Sequence, residues 1–239
     1  MIGPYEKLSR EAINKLPMQA YRGPLRLIRT REQMAQSLRA LSRETTLGFD
    51  TETRPAFRKG ESHTPALLQL GGGKAVHIFL LREIGFPPEL ADLLTNPDIV
   101  KAGVAVSGDI RALQKLAPFA PAGFVDLGTV AKRNGIPHHG LRGLAALLLG
   151  FRISKSERFT NWEMKRIPAR SLTYAATDAW VSRELYRTLR ALGCLGMTPN
   201  TGELPVRAKR QGAAANGDRL ATKDREDTIP DGHIAQVKA

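Results

Sequence analysis

Two carboxylates one residue apart, Asp50 and Glu52, have the clearest potential for chemistry in this sequence. They lie at the end of a strand predicted over residues 45–50. Side chains alternate between the two faces of a strand, so both acids point the same way. Like charges held this close repel each other, and a bound divalent cation is the simplest way to stabilise them. Because Asp-x-Glu is also common at solvated strand ends, the rest of the chain must decide between the two interpretations.

Two further acids could converge on this pair. Asp109 follows a buried-type strand, with Ser107 as the predicted N-cap that places it in the first turn of a helix. Asp178 lies inside a long predicted helix among small and apolar neighbours, where an unpaired carboxylate is costly. Tyr174 precedes Asp178 by one helical turn and lies on the same face. Four carboxylates without cysteine suit hard divalent cations such as Mg²⁺ or Mn²⁺.

Each of these residues also has a purely structural explanation. Asp109 could complement the dipole at a helix start. Tyr174 could be a core aromatic with its hydroxyl at the surface. Asp178 could pair with an arginine. Taken singly, these explanations are the commoner ones, but together they require several coincidences, so the combination favours a metal site.

The predicted elements that would position these residues alternate between strands and helices. A short strand over residues 25–28 precedes a helix that Thr30 and Gln33 start as a capping box. Two apolar strands, residues 66–70 and 75–80, flank Gly71-Gly72-Gly73 and predict a hairpin. A phosphate-binding loop is disfavoured there, since no Gly-Lys-Ser/Thr ending and no helix follow directly. This order predicts an α/β fold, a mixed sheet flanked by helices.

The domain organisation follows from where these patterns begin and end. We predict an N-terminal helical extension over residues 1–22 and an α/β domain over 23–195. Residues 196–239 are rich in Gly, Ala, Pro and mixed charges without a sustained period, which predicts a disordered tail. No internal repeat is found.

The composition bounds the cellular setting. The only cysteine, Cys194, excludes an internal disulfide and a Cys-based metal cluster. The sequence has no run of 18 apolar residues and no continuous apolar segment of signal-peptide type near Met1. We therefore expect a soluble, cytoplasmic protein with no membrane partner; nothing in the sequence indicates its oligomeric state.

The net charge of +13 is informative about partners. From Pro199 onward there are seven Lys/Arg and six Asp/Glu residues, so a charge of +12 belongs to residues 1–198. A basic globular body favours a polyanionic partner, most often nucleic acid. A merely solubilising surface explains the charge equally well.

Three motifs in order resemble the DEDD exonucleases of the ribonuclease-H-like fold. They are residues 49–52 (Phe-Asp-Thr-Glu), residues 103–113 around Asp109, and residues 174–179 around Asp178. The spacing resembles the tyrosine-type branch, which includes ribonuclease D and the exonuclease domain of the Werner syndrome helicase. The histidine-type branch would have histidine five residues before Asp178, where this chain has Thr173. The resemblance covers roughly residues 25–192, and relatives often have Leu-Thr-x-x-Gln where residues 167–171 here include Pro168.

The resemblance implies a 3'-5' exonuclease that uses two divalent cations, Mg²⁺ or Mn²⁺, and releases nucleoside 5'-monophosphates. By resemblance, Asp50 would bridge both ions, Glu52 and Asp178 would hold the ion that activates water, and Asp109 would serve the second ion directly or through water. Tyr174 would orient the attacking water.

Basic residues near the motifs are candidates for contacts to the nucleic-acid backbone. They are Arg54, Arg58, Lys59, Arg158, Lys165 and Arg166. Trp162 could stack on a base, although a buried structural tryptophan is the commoner case. His138 and His139 have no evident companion ligand that would make a metal site. An alternative function is a noncatalytic nucleic-acid-binding protein on the same fold, although such a protein has no use for four acids facing phosphates.

Overall fold

The computed structural model describes residues 5–58, 60–157 and 160–196, which belong to one compact unit. The strands are β1 (Leu25–Ile28), β2 (Thr46–Thr53), β3 (Pro65–Gly71), β4 (Val76–Leu80), β5 (Val100–Gly103) and β6 (Phe124–Asp126). The helices are α1 (Arg10–Lys15), α2 (Arg31–Leu41), α3 (Leu81–Ile84), α4 (Pro88–Thr95), α5 (Val106–Gln114), α6 (Leu127–Arg133), α7 (Leu141–Leu144, continued by a π-helical turn, Ala145–Leu149) and α8 (Ala169–Ala191). The predicted tail lies outside these residues from 197 onward.

The six strands form one mixed sheet, which confirms the predicted fold class. Their order across the sheet is β1-β4-β3-β2-β5-β6. The β2–β3 and β3–β4 pairs are antiparallel. The β1–β4, β2–β5 and β5–β6 pairs are parallel. The β3–β4 hairpin at the three glycines is confirmed, and Gly72 N–H donates to Ala75 O at 2.9 Å.

The alternation of residues along β2 and β3 divides the core into two layers. Leu47, Phe49, Leu68 and Leu70 face one side, in a cluster that includes apolar side chains of α2, α4 and α5. The opposite face includes Leu67 and packs against α8. The Gly48 position faces α8, which packs directly against it. Asp50 and Glu52 follow Gly48 by two and four residues, so their side chains point to the same face of the sheet, toward α8.

Several boundaries differ from the prediction. The β2 strand continues to Thr53, because β3 pairs with it as far as Pro65, so both acids lie within the strand. The β5 strand ends at Gly103, and α5 begins at Val106 after Ala105, which has a left-handed φ of 58°. Ser107 therefore lies inside α5, and its prediction as the N-cap is wrong. The capping box at Thr30 and Gln33 is confirmed.

The N-terminal segment is helical for only six residues, from Arg10 to Lys15. Hydrogen bonds connect this segment to the domain: Leu8 N–H donates to His138 Nε2 at 3.1 Å, and Tyr21 N–H donates to Thr177 Oγ1 at 2.9 Å. Within the described ranges, no helix combines the length and apolar character that crossing a membrane requires. Cys194 is a buried free thiol.

Candidate metal centre

Three of the four predicted acids come together beside the centre of the sheet. Asp50, Glu52 and Asp178 each present a carboxylate oxygen, and these oxygens lie within 4.8 Å of one another. Asp178 is only 7% exposed, and the two strand residues are half-buried. The sequence predicted four acids at one site, and the structure brings these three within this distance of one another.

Small residues allow α8 to approach β2 closely enough to deliver Asp178. A Cβ atom added to Gly48 would lie 1.7 Å from Ala179 O, and one added to Gly71, its partner on β3, would lie 3.0 Å from the same oxygen. Ala175 and Ala179 on the same helix are fully buried. The backbone of α8 therefore rests on the sheet at Gly48, two residues before Asp50.

The fourth acid, Asp109, is held beside this group by a different contact. It lies in the first turn of α5, and Thr51 Oγ1–H donates to its Oδ1 at 2.5 Å. Thr51 stands between Asp50 and Glu52 in the sequence and points to the other face of β2. Asp109 therefore lies next to the three-carboxylate cluster but is not part of it.

Burial and mutual repulsion raise the pKa values of the clustered acids. Burial is the largest cause for each of them. Burial, followed by the charges of Asp178 and Asp109, raises the pKa of Glu52 to about 8, and burial raises that of Asp178 to about 7. The pKa of Asp50 lies well above its usual value through burial and then through Asp178, Glu52 and Asp109. Burial also raises the pKa of Asp109, and the Thr51 hydroxyl partly offsets that rise. Ionised together, these groups need a positive charge.

Tyr174 is half-buried one turn before Asp178 on α8. Burial, followed by the charges of Asp178, Glu52 and Asp50, raises the pKa of its hydroxyl far above the usual range. The hydroxyl in turn partly offsets the effect of burial on the pKa of Asp178. Tyr174 is therefore a neutral phenol beside the acids at ordinary pH.

In the described part of the chain, no basic side chain is paired with these carboxylates: no lysine, arginine or histidine forms an ion pair with Asp50, Glu52, Asp109 or Asp178. The alternative in which Asp178 pairs with an arginine is therefore not observed. Oxygen donors that converge, repel one another and lack a counter-charge fit a hard divalent cation.

Four of the six predicted basic contacts, Arg54, Arg58, Lys165 and Arg166, are exposed after β2 or before α8. Arg54 forms an ion pair with Glu163 at 3.3 Å, which joins these two loops. Lys165 also lines a surface cavity of about 340 Å³ together with Arg29 and Arg82. Lys59 and Arg158 lie outside the described residues.

Trp162 is unsuited to stacking on a base in this structure. Only 1% of it is exposed, and its ring centroid lies 6.4 Å from that of Tyr174 within the α8-facing core. The buried structural role, which was the alternative for Trp162, is the one observed. Phe57, by contrast, is 78% exposed on the loop after β2, between Arg54 and Arg58.

The two adjacent histidines do not join the acids. His138 Nε2 accepts the hydrogen bond from Leu8 N–H, and burial lowers its pKa. His139 is exposed. The only group of three or more His, Cys, Asp or Glu side chains able to hold a metal ion in the described part of the chain is Asp50, Glu52 and Asp178.

Sequence reasoning missed two residues that shape this site, Gly48 and Thr51, and one exposed aromatic residue on the loop after β2, Phe57. Gly48 was detectable as a glycine on the same strand face as both acids. Thr51 was detectable as the hydroxyl residue between them, on the opposite face. Phe57 was detectable as an aromatic residue flanked by arginines in a loop.

Comparisons with known proteins agree with this arrangement. The profile of a 3'-5' exonuclease family matches residues 25–193. The mouse bifunctional 3'-5' exonuclease/ATP-dependent helicase WRN is 31% identical over 181 residues, which cover 72% of this chain and 13% of that protein. Ribonuclease D of Acidiphilium cryptum is 30% identical over 169 residues, which cover 69% of this chain and 42% of that protein. This chain therefore matches less than half the length of either relative.

The fold also matches a solved structure. The crystal structure of the Aedes aegypti Nibbler EXO domain superimposes with a TM-score of 0.66 and 24% identity, covering 76% of this chain and 96% of the other. The family profile spans β1 to the end of α8 and so includes every residue of the carboxylate cluster. From this match over most of its length, the chain belongs to the 3'-5' exonuclease family.

Proposed function

We propose that this protein is a 3'-5' exonuclease of the tyrosine type that depends on two divalent cations, Mg²⁺ or Mn²⁺. It would remove nucleotides one at a time from the 3' end of DNA or RNA and release nucleoside 5'-monophosphates. In each cycle a water oxygen bonds to the terminal phosphorus, the bond from phosphorus to the 3'-oxygen of the remaining strand breaks, and that oxygen takes up a proton.

The observation that carries this proposal is the convergence of three carboxylates that pair with no basic side chain among the described residues. Asp50 would be shared between the two cations, Glu52 and Asp178 would hold the one nearer the water, and Asp109 would serve the other directly or through water. The bound cations supply a lowered pKa for water and stabilisation of negative charge on the phosphate.

The protein's own groups orient the substrate and the water. The Tyr174 phenol, neutral at ordinary pH, is suited to hydrogen bonding with the attacking water without acting as a base. Arg54, Arg58, Lys165 and Arg166 lie on the exposed loops and would hold the phosphate backbone without reading sequence. Phe57 offers an exposed aromatic face for a base.

The alternative, a noncatalytic nucleic-acid-binding protein, fits the basic body but not the acidic cluster. Three carboxylates facing a phosphate would repel it unless cations stood between them. The charge on residues 1–198 supports binding under either function, so hydrolysis decides between them.

The decisive experiment follows hydrolysis of matched DNA and RNA oligonucleotides labelled at the 3' or the 5' end. With Mg²⁺ or Mn²⁺, we expect the 3' label to be released at once as a mononucleotide, and the 5'-labelled strand to shorten stepwise. EDTA and Asp50→Ala should each abolish release. Asp98→Asn, which alters an exposed acid away from the site, should keep full activity.

Activity that persists in EDTA or in Asp50→Ala contradicts the proposed mechanism. Salt-sensitive binding without hydrolysis under any divalent metal would instead support the noncatalytic alternative.

A further inference from the structure

Gln69, in the middle of β3, is a polar side chain in a place where an apolar one would ordinarily be expected. It is 0% exposed, and its cross-strand neighbour on β4 is Ile78. Neither its amide oxygen nor its amide nitrogen has a hydrogen-bond partner among the residues that the structure describes. Burying an unpaired amide costs free energy, so its presence calls for a partner.

The register of the sheet places Gln69 beside the proposed metal centre. It is the direct partner of Asp50 in the antiparallel β2–β3 ladder. Directly opposed residues point to the same face, with Cβ atoms about 4.5–5.5 Å apart. The neighbouring pair on that face is Gly48 and Gly71, over which α8 crosses. Gln69 therefore lies under α8 on the side of Asp50 away from β5.

The chemistry of an amide suits this position. A lysine or arginine here would neutralise Asp50 and compete with a cation, whereas an amide donates a hydrogen bond without adding charge. Asp50 is the acid proposed to be shared by both cations, so its carboxylate plane has the most demanding orientation. Hydrogen bonds from neighbouring groups are the usual means of fixing a carboxylate that binds metal.

We infer that Gln69 is a positioning residue of the metal centre, and that its amide N–H donates to the Asp50 carboxylate when that carboxylate holds a cation. This inference rests on the proposed metal-dependent function. Gln69 makes no contact with substrate in this role; it acts through the orientation of Asp50.

The test is Mn²⁺ binding measured by isothermal titration calorimetry, with thermal unfolding in EDTA as a second readout. Gln69→Met keeps the length of the side chain but removes the amide, and Gln69→Leu serves if the methionine variant does not fold. We expect Mn²⁺ affinity to fall about 10-fold to 100-fold. The melting temperature in EDTA should stay equal or rise, because an unpaired buried amide is lost. The rate constant kcat should fall more than KM changes.

Ile78→Val is the matched control, since it perturbs the core on the other side of Gln69. It should lower the melting temperature while Mn²⁺ affinity is unchanged. A Gln69 that serves only packing would behave like Ile78: both substitutions would lower the melting temperature and leave Mn²⁺ affinity at the wild-type value, which overturns the inference. Wild-type protein that binds no Mn²⁺ would instead refute the proposed function itself.

Discussion

The surroundings of Asp178 make its charge state depend on whether a cation is bound nearby. Its neighbours on α8 include the buried Ala175 and Ala179 and the phenol of Tyr174. The carboxylates of Asp50 and Glu52 lie close to it. Burial raises its pKa to about 7, and burial together with the charges of Asp178 and Asp109 raises that of Glu52 to about 8. A carboxylate in the unfolded chain titrates near 4. Without a cation, the folded protein therefore binds more protons than the unfolded chain from about pH 4 up to the raised pKa values.

The first prediction concerns stability and pH in EDTA. The protonated forms of Asp178 and Glu52 favour the folded state. This contribution is lost as pH rises through their raised pKa values, so the free energy of unfolding should fall between pH 6.5 and 8. Asp178→Asn should flatten this fall and raise stability at pH 8 by about 1–3 kcal/mol. Below pH 6.5 the buried His77, whose pKa is lowered to about 4, works in the opposite direction. Thermal unfolding across this pH range measures the effect.

The same substitution should remove most of the stabilisation that Mn²⁺ gives the wild-type protein at pH 8. Asp98→Asn provides the control, since its exposed carboxylate should affect neither measurement. An Asp178→Asn variant that is less stable than wild type in EDTA at pH 8 would show that burying the ionised carboxylate does not destabilise the folded protein.

The second prediction concerns Phe57, the most exposed large apolar side chain in the described residues. Its loop is ordered by Glu61 Oε2, which accepts hydrogen bonds from Phe57 N–H at 3.0 Å and Arg58 N–H at 3.2 Å. Phe57→Ala should weaken binding of a single-stranded oligonucleotide by about 1–3 kcal/mol, because one base loses its stacking partner. Fluorescence anisotropy with Ca²⁺ in place of Mg²⁺ measures binding without turnover.

Phe57→Trp should keep or improve this affinity. Met18→Ala removes another exposed apolar side chain, which precedes β1 and lies outside the Phe57 loop. This substitution should leave the affinity unchanged. Equal losses from Phe57→Ala and Met18→Ala would argue against stacking at Phe57.

At the scale of elements, the crossing of α8 over β2 is what assembles the site. The helix supplies Asp178 and Tyr174, and the strand supplies Asp50 and Glu52. Their closest approach is at Gly48, where the backbone of Ala179 occupies the space that a side chain would need. The distance between the carboxylates therefore depends on a residue that has no side chain.

The third prediction follows from this contact. Gly48→Ala should lower the free energy of unfolding by about 1–3 kcal/mol, because the added methyl group forces α8 away from the sheet. It should also weaken Mn²⁺ binding, since Asp178 moves with the helix. Chemical denaturation and calorimetric titration measure the two effects.

Gly108→Ala is the control for glycine replacement. A Cβ there would meet nothing within 4 Å, and the residue lies within α5. Stability should hold or rise by about 0.5–1 kcal/mol through the reduced entropy of the unfolded chain. If Gly48→Ala were equally well tolerated, close packing of α8 would not be what positions Asp178.

For the whole molecule, the sheet carries a second buried charge of the opposite sign. Lys101 on β5 is 0% exposed, and its Nζ donates to Asn96 O at 2.6 Å and lies 5.3 Å from the ring centroid of Phe124. It has no carboxylate partner within the ranges that the structure describes. Burial lowers its pKa to about 8.

The fourth prediction is a rise in stability at alkaline pH that depends on this lysine. A lysine in the unfolded chain titrates near 10.4, so above pH 8 the unfolded state binds more protons and the free energy of unfolding should increase with pH. The difference between wild type and Lys101→Met should therefore grow in favour of wild type by about 1 kcal/mol from pH 8 to 9.5. Denaturation in EDTA at both pH values measures this difference, and a constant difference would contradict it.

The sequence by itself determined the fold class, the order of the strands along the chain and the set of acids. These follow from local rules: apolar runs form strands, Thr30 and Gln33 cap a helix, and alternation puts Asp50 and Glu52 on one face. The resemblance added the family, and the family profile over residues 25–193 confirmed that membership.

Only the tertiary structure decided how these residues meet. Thr51 holds Asp109 beside the three-carboxylate cluster, Trp162 is buried while Phe57 is exposed, and Gln69 stands opposite Asp50. These outcomes depend on strand register and on how α5 and α8 approach the sheet. The α8 helix meets residues that are more than 100 positions away in the sequence. Local periodicity carries no information about such distances, because it fixes the face on which a side chain lies and not what packs against that face.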